Sequence, residues 1–111
     1  MNNTIPEGFT LRFATPRGLA ALVDAGFCGM FPWRGSRGQV LTQMAAILAS
    51  PRASRIVECV HTRTGAVAAI GAFGPAQFSS TAWQLYLSAT LPEYRGRGLN
   101  EALVRHRIAL I

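Results

Sequence analysis

The sequence predicts an α+β fold, a mixed and mainly antiparallel sheet with helices on its faces, in the order β-α-α-β-β-β-α. Three observations carry that expectation. Residues 55–61 and 66–73 are apolar runs on either side of the turn-like Thr62-Arg63-Thr64-Gly65, which reads as an antiparallel hairpin. Residues 83–91 alternate between apolar and polar side chains, the mark of a strand. Three other stretches space their apolar residues at helical intervals.

In chain order, residues 8–14 alternate Phe9, Leu11 and Phe13 with polar neighbours and read as a half-buried strand. Thr15-Pro16 is an N-cap followed by proline at the first helical position. The helix it opens carries Leu19, Leu22 and Val23 to about Ala25, and Gly26 stops it. Residues 27–38 mix glycine and proline with Phe31 and Trp33 and read as a loop. A second helix, residues 39–49, ends at Ser50-Pro51, because the residue before proline avoids the helical region. The strand at residues 66–73 is apolar throughout and reads as buried on both faces, with Gly74-Pro75 as its break. In the strand at 83–91, Trp83, Leu85, Leu87, Ala89 and Leu91 share one face, and Gln84, Tyr86, Ser88 and Thr90 the other. A helix then runs to Ile111, with Leu99, Ala102, Leu103, His106, Ala109 and Leu110 on one apolar face and Val104, Ile108 and Ile111 on a second. Two apolar faces predict packing against more than one surface.

Composition narrows the chemistry. The 111 residues, 50% of them hydrophobic and 14% charged, make one small domain over residues 1–111. The mean hydropathy of +0.23 is too high for a disordered chain. Eleven arginines and no lysine face five carboxylates, giving a net charge of +6. Without lysine there is no Schiff base and no phosphate-binding P-loop. Asp24 is the only aspartate and the glutamates stand singly, so acidic metal centres and glycosidase pairs are excluded. Cys28 and Cys59 make no disulfide framework. The start lacks a signal-peptide pattern, and the apolar stretches fall short of the ~20 residues that span a bilayer. The expected setting is cytoplasmic, with reduced thiols.

The informative segment is Leu91-Pro92-Glu93-Tyr94-Arg95-Gly96-Arg97-Gly98-Leu99-Asn100, a strand that enters a glycine-rich turn and opens a helix. The first turn of a helix presents unpaired N–H groups and the positive end of its dipole. Glycines let an anion approach the backbone, and Arg95 and Arg97 add planar cationic donors. These features predict a phosphate or pyrophosphate site.

That segment resembles the acyl-CoA-binding motif of the GNAT superfamily of N-acetyltransferases, [RQ]-x-x-G-x-[GA]. Arg95 and Gly98 meet its first two defined positions, and Asn100 stands where the family has Gly or Ala. The element order matches as well. The resemblance implies direct attack of an amine, on a small molecule or a peptide, on the thioester of acetyl-CoA, which Ala89, Thr90, Leu91 and the Arg95–Asn100 turn would bind. A backbone N–H at the end of the preceding strand would polarise the carbonyl. Glu58, Tyr86 and Ser88 are the candidates for proton transfer, and Phe31, Trp33 and Gln84 for the acceptor pocket. No metal enters this chemistry. The family continues with a strand, a helix and further strands, so the sequence is expected to be C-terminally truncated, with one wall of the pantetheine gap. The family's frequent tyrosine proton donor has no counterpart here. A chain of this kind reads alternatively as a non-catalytic CoA-binding or interaction remnant completed by another chain, a partner or a second copy, through its exposed strand edge.

Plainer roles compete for individual residues. His106 reads as a core histidine, Cys28 as a small hydrophobe, and Glu58 first as a strand-surface carboxylate. Cys59-x-His61 is not a zinc spacing. The arginines are spread along the chain with no basic run, which ranks nucleic-acid binding a distant third.

Overall fold

A computed structural model describes residues 5–50, 54–76 and 81–111. The expected stop at Pro51 and the reading of the first four residues lie outside them. Strand β1 (Phe9–Phe13) leads into helix α1 (Pro16–Leu22). Thr15 caps α1 as expected, its Oγ1 accepting the Gly18 N–H at 3.0 Å. The chain continues through a π-helical turn (Val23–Phe27), the single-turn helix α2 (Cys28–Met30) and a 3-10 turn (Pro32–Arg34). The stretch read as a loop is therefore largely helical. Gly26 does not end the helix cleanly; its φ of 135° kinks the chain and redirects α2.

Helix α3 (Arg37–Leu48) starts at a capping box, with Gln39 N–H on the Ser36 hydroxyl and Ser36 N–H on the Gln39 side chain. The exposed pair Arg37–Asp24, at 2.6 Å, ties this helix to the π turn. The hydrogen bond from Arg37 holds the Asp24 carboxyl below its ordinary range. Strands β2 (Arg55–His61), β3 (Val67–Pro75) and β4 (Trp83–Thr90) follow, then a 3-10 turn (Pro92–Tyr94) and helix α4 (Leu99–Leu110). The four strands form one antiparallel sheet in the order β1-β2-β3-β4.

The sheet separates two cores. Helices α1 and α3 cover one face, where Leu19, Leu22, Val40 and Met44 meet Ile56, Val60 and Ile70. Helix α4 covers the other, where Leu99 and Leu103 meet Val57, Cys59, Ala69 and Phe73. Strand β3 is buried on both sides, as its apolar composition predicts, and it extends through Gly74 to Pro75 instead of breaking there.

Strand β4 departs from the expected alternation. The β3–β4 register runs Ile70↔Ala89 on one side and Ala72↔Tyr86 on the other, so Leu87 and Ser88 together oppose Gly71. This is a β-bulge, and Leu87 carries φ +54° within it. The phase of the strand flips at that point. Leu85, opposite Phe73, and Trp83, whose ring lies tilted 6.3 Å from the Phe73 ring, belong to the α4 face. Leu87, Ala89 and Leu91 belong to the α1–α3 core.

Three further expectations are corrected. Glu58 is not a surface carboxylate; it is fully buried beneath α1, and a Cβ at Gly18 would run into it. Arg12 donates to Glu58 Oε1 at 2.6 Å across the β1–β2 ladder. The second apolar face of α4 is uncovered among the described residues, with Ile108 and Ile111 exposed. His106 is only half-buried, and the fully buried side chain in that turn is Arg107.

Burial pushes the Cys59 thiol from an ordinary 9.0 up to about 11. The unfolded thiol ionises first, so the folded state holds the extra proton between those values. Its stabilisation is complete below pH 9.0 and is lost as pH rises towards 11. Across that window the wild type should lose more stability in urea titrations than Cys59→Ala; parallel curves would contradict the assignment.

Candidate functional site

The glycine-rich turn between β4 and α4 is built from short-range constraints. Leu91 N–H donates to Ala68 O at 2.9 Å and fixes the end of β4 on β3. Tyr94 and Arg95 N–H groups close the 3-10 turn on Leu91 O and Pro92 O. Gly96 and Gly98 both have left-handed φ, +79° and +77°, which brings the chain sharply around into α4. Gly98 is the N-cap and offers no side chain, so no side-chain acceptor takes the first N–H groups of α4. Donors left in this way, at the positive end of a twelve-residue helix, suit an anion.

In front of them lies a hollow of about 380 Å³. Its floor is the end of β4, Ser88, Ala89 and Thr90, and its rim is Arg95, Gly96, Gly98, Leu99 and Asn100. Phe31 forms the opposite wall. Phe31 is held there by Phe27, at 4.9 Å between ring centroids, and by Trp33, edge-on at 5.4 Å.

Most of the residues expected to bind a cofactor are thus together. Leu91 and Arg97 are not on the lining: Leu91 is buried in the core, and Arg97 lies 5.6 Å over the Tyr94 ring. Gln84 and Tyr86 border a separate hollow of about 270 Å³ with Ser50, Ser54 and Pro75. The bulge separates them from Ser88, which turns to the α4 side and accepts from Arg107 Nη2 at 3.2 Å. Trp33 is 75% exposed and reaches the site only through Phe31. Glu58 lines neither hollow.

The two arginines of the turn are already engaged. Arg95 Nε donates to Thr90 O at 3.2 Å, and its Nη2 meets Met30 Sδ at 3.2 Å. It straps the end of β4 to α2 and forms part of the wall. The anion-directed charge is therefore close to the hollow but structurally tethered.

Sequence reasoning left out Tyr94, Glu101 and Met30. Tyr94 sits between the two cores and meets Phe9 edge-to-face at 5.9 Å, the centre of an aromatic group that includes His61. Its place in the quoted turn was the only available signal. Glu101 lines the hollow, and Arg105 offsets its charge at 2.6 Å one turn along. No group of His, Cys, Asp or Glu that could hold a metal occurs among the described residues. No described helix is long and apolar enough to cross a membrane.

The architecture is similar to that of solved acetyltransferases. A GCN5-related N-acetyltransferase from Sphaerobacter thermophilus matches with a TM-score of 0.72 at 20% identity, over 96% of this chain and 33% of that one. An acetyltransferase from Thermus thermophilus matches at 0.74 and 15% identity, over 97% of this chain and 72% of that one. A GNAT family acetyltransferase from Brucella melitensis, in complex with acetyl-CoA, matches at 0.65 and 19% identity, over 92% of this chain and 67% of that one. No family model and no curated protein matches the sequence.

The turn itself can be tested. A Cβ at Gly96 would meet nothing within 4 Å and one at Gly98 only Pro6 Cγ at 4.0 Å, so substitution costs conformation alone. Gly96→Ala and Gly98→Ala should each lower stability by roughly 1–2 kcal/mol, and the asparagine variants by less, because asparagine visits the left-handed region more readily. Equal losses for alanine and asparagine in urea denaturation would argue against this origin.

Proposed function

We propose that this chain, which has the GNAT acetyltransferase fold, binds acetyl-CoA at the β4–α4 turn and serves N-acetyl transfer to an amine. The observation that carries the reading is the uncapped α4 N-terminus, set behind two left-handed glycines and facing the hollow at the end of β4. It supports a pyrophosphate on the N–H groups of Leu99 and its neighbours. The acyl arm would then lie along β4, past Ala89 and Thr90, towards Ser88.

The end of β4 suits the chemistry of a thioester. Leu91 N–H is spent on Ala68 O. N–H groups alternate in direction along an edge strand, so Thr90 N–H faces outward. Its carbonyl points the same way and receives Arg95 Nε. An N–H in that position polarises a thioester carbonyl and stabilises the oxyanion that forms when the amine attacks. Tyr86 and Gln84, which line the separate hollow with Ser50, Ser54 and Pro75, would receive the amine, and Phe31, backed by Trp33, would wall the acyl side. The Tyr86 hydroxyl would pass the amine's proton to water. Ser88 Oγ accepts from Arg107, which leaves its own proton free to donate to the departing thiolate. Glu58 takes a structural role in this reading, pairing β2 with Arg12 of β1 beneath α1.

Charge-assisted hydrogen bonds contribute about 1.5–3 kcal/mol each, and three or four leave at most ~8 kcal/mol after association costs of at least ~4 kcal/mol. Calorimetry of the 111-residue chain with acetyl-CoA should therefore give a Kd on the order of 10–100 μM. Desulfo-CoA should bind comparably and ATP more weakly. Gly98→Asp sets a carboxylate against the phosphates at a position aspartate tolerates, and should weaken binding at least ~10-fold, about 1.4 kcal/mol. Absence of CoA binding by the folded wild type, or unchanged affinity in the variant, would overturn the reading.

The edge of β4 favours a second reading, an interaction module completed by strand pairing. Strand β4 bonds to β3 alone among the described strands, and Trp83 and Leu85 on it are exposed. Light scattering should then show a dimer, and a monodisperse monomer would dismiss it.

A further inference from the structure

Arg107 is the unexplained group in this fold. It is fully buried on α4, yet no carboxylate pairs with it among the described residues. Burial lowers its pKa, the direction expected when a charge leaves water. A buried charge without a counter-charge persists only where several acceptors meet its donors. Four do. Nε donates to Leu103 O at 3.1 Å within α4; Nη1 donates to Ala72 O at 2.9 Å and reaches Tyr86 O at 3.5 Å; Nη2 donates to Ser88 Oγ at 3.2 Å.

Three of those acceptors flank the bulge. Ala72 and Tyr86 are the register pair just before it, and Ser88 is one of the two residues inside it. The space that the guanidinium fills belongs to the missing side chain of Gly71, where a Cβ would stand 2.5 Å from Arg107 Cζ. Across from Gly71 is Leu87, the only non-glycine residue with positive φ among those described. A left-handed leucine is strained and needs surroundings that hold it.

We infer that Arg107 is a positioning residue: its guanidinium stands in for ladder hydrogen bonds at the β4 bulge, holds Leu87 left-handed, and so aims the Ser88–Thr90 segment at the hollow. The inference about backbone shape stands by itself, whereas its consequence for ligand binding rests on the reading under Proposed function. The donor geometry calls for arginine specifically. A planar fork bridges acceptors on two strands at once, and the compact ammonium of lysine does not.

The test uses labelled chain in solution and two readouts. Leu87 Cα and Cβ chemical shifts report its backbone region without any ligand. The affinity for CoA, measured well below the melting temperature of each variant, reports the site. In Arg107→Met and Arg107→Lys, Leu87 should move to extended-strand shifts and CoA affinity should fall at least ~10-fold, without rescue by lysine. A lower melting temperature with unchanged Leu87 shifts would overturn the inference, because a structural role alone predicts that result. Where Arg107→Met fails to fold, Gly71→Ala displaces the guanidinium from the opposite side and should give the same Leu87 shift. Relaxed Leu87 with undiminished CoA affinity would overturn the link to the site. A wild type that binds no CoA, with variants that still relax Leu87, supports the backbone inference and refutes the functional reading instead.

Discussion

Strand β3 is the constraint on which everything else rests. It has helices on both sides and runs Val67-Ala68-Ala69-Ile70-Gly71-Ala72-Phe73, every residue buried. A strand buried on two faces must be apolar at every position, and this one keeps its residues small where α4 approaches. Ala68 and Ala69 let Leu99 and Leu103 reach the sheet, and Gly71 leaves the space that Arg107 enters. The N-terminal helices depend on Ile70 and Ala72 on the other face. The candidate site inherits this order: its floor hangs from β3 through the Leu91–Ala68 bond, and its helix is packed on β3 from behind.

The site achieves a positive character with few free charges. Among the arginines nearest the hollow, Arg95 is tethered to Thr90 and Met30, Arg97 lies on Tyr94, and Arg105 is paired with Glu101. What remains open are backbone donors, fixed in direction by the helix. Such dipoles need no reorganisation when an anion arrives. At position 100 an asparagine presents the same main-chain N–H that glycine or alanine would.

Local signals made most of the fold legible. Thr15-Pro16 announces a helix start, the residues around Thr62-Arg63-Thr64-Gly65 announce a hairpin, and the glycines before Leu99 announce the turn into α4; each depends on neighbours in sequence. What escaped depends on distant partners. The break in β4 alternation cannot be read from Trp83 to Leu91, because the arginine that occupies it lies on α4. Arg107 itself was hidden, since a helical wheel assigns arginine to solvent. Glu58 misled for the same reason: its burial is set by Arg12 and by the absent side chain of Gly18. The helical turns between Gly26 and Gly35 were masked by glycine and proline, which ordinarily mark loops.

The bulge has a consequence for strand registration. An edge strand with simple alternation can slide by two residues and present the same faces, which makes edge pairing prone to error. Strand β4 cannot. Its first half sends Trp83 and Leu85 to one side of the sheet and its second half sends Leu87 and Ala89 to the other. A two-residue slide would set the doubled pair against Ala69 or Phe73, where a side chain occupies the room the guanidinium needs. A one-residue slide would turn both halves inside out. One irregularity therefore leaves a single alignment of β4 on β3, and with it a single position for the turn that follows.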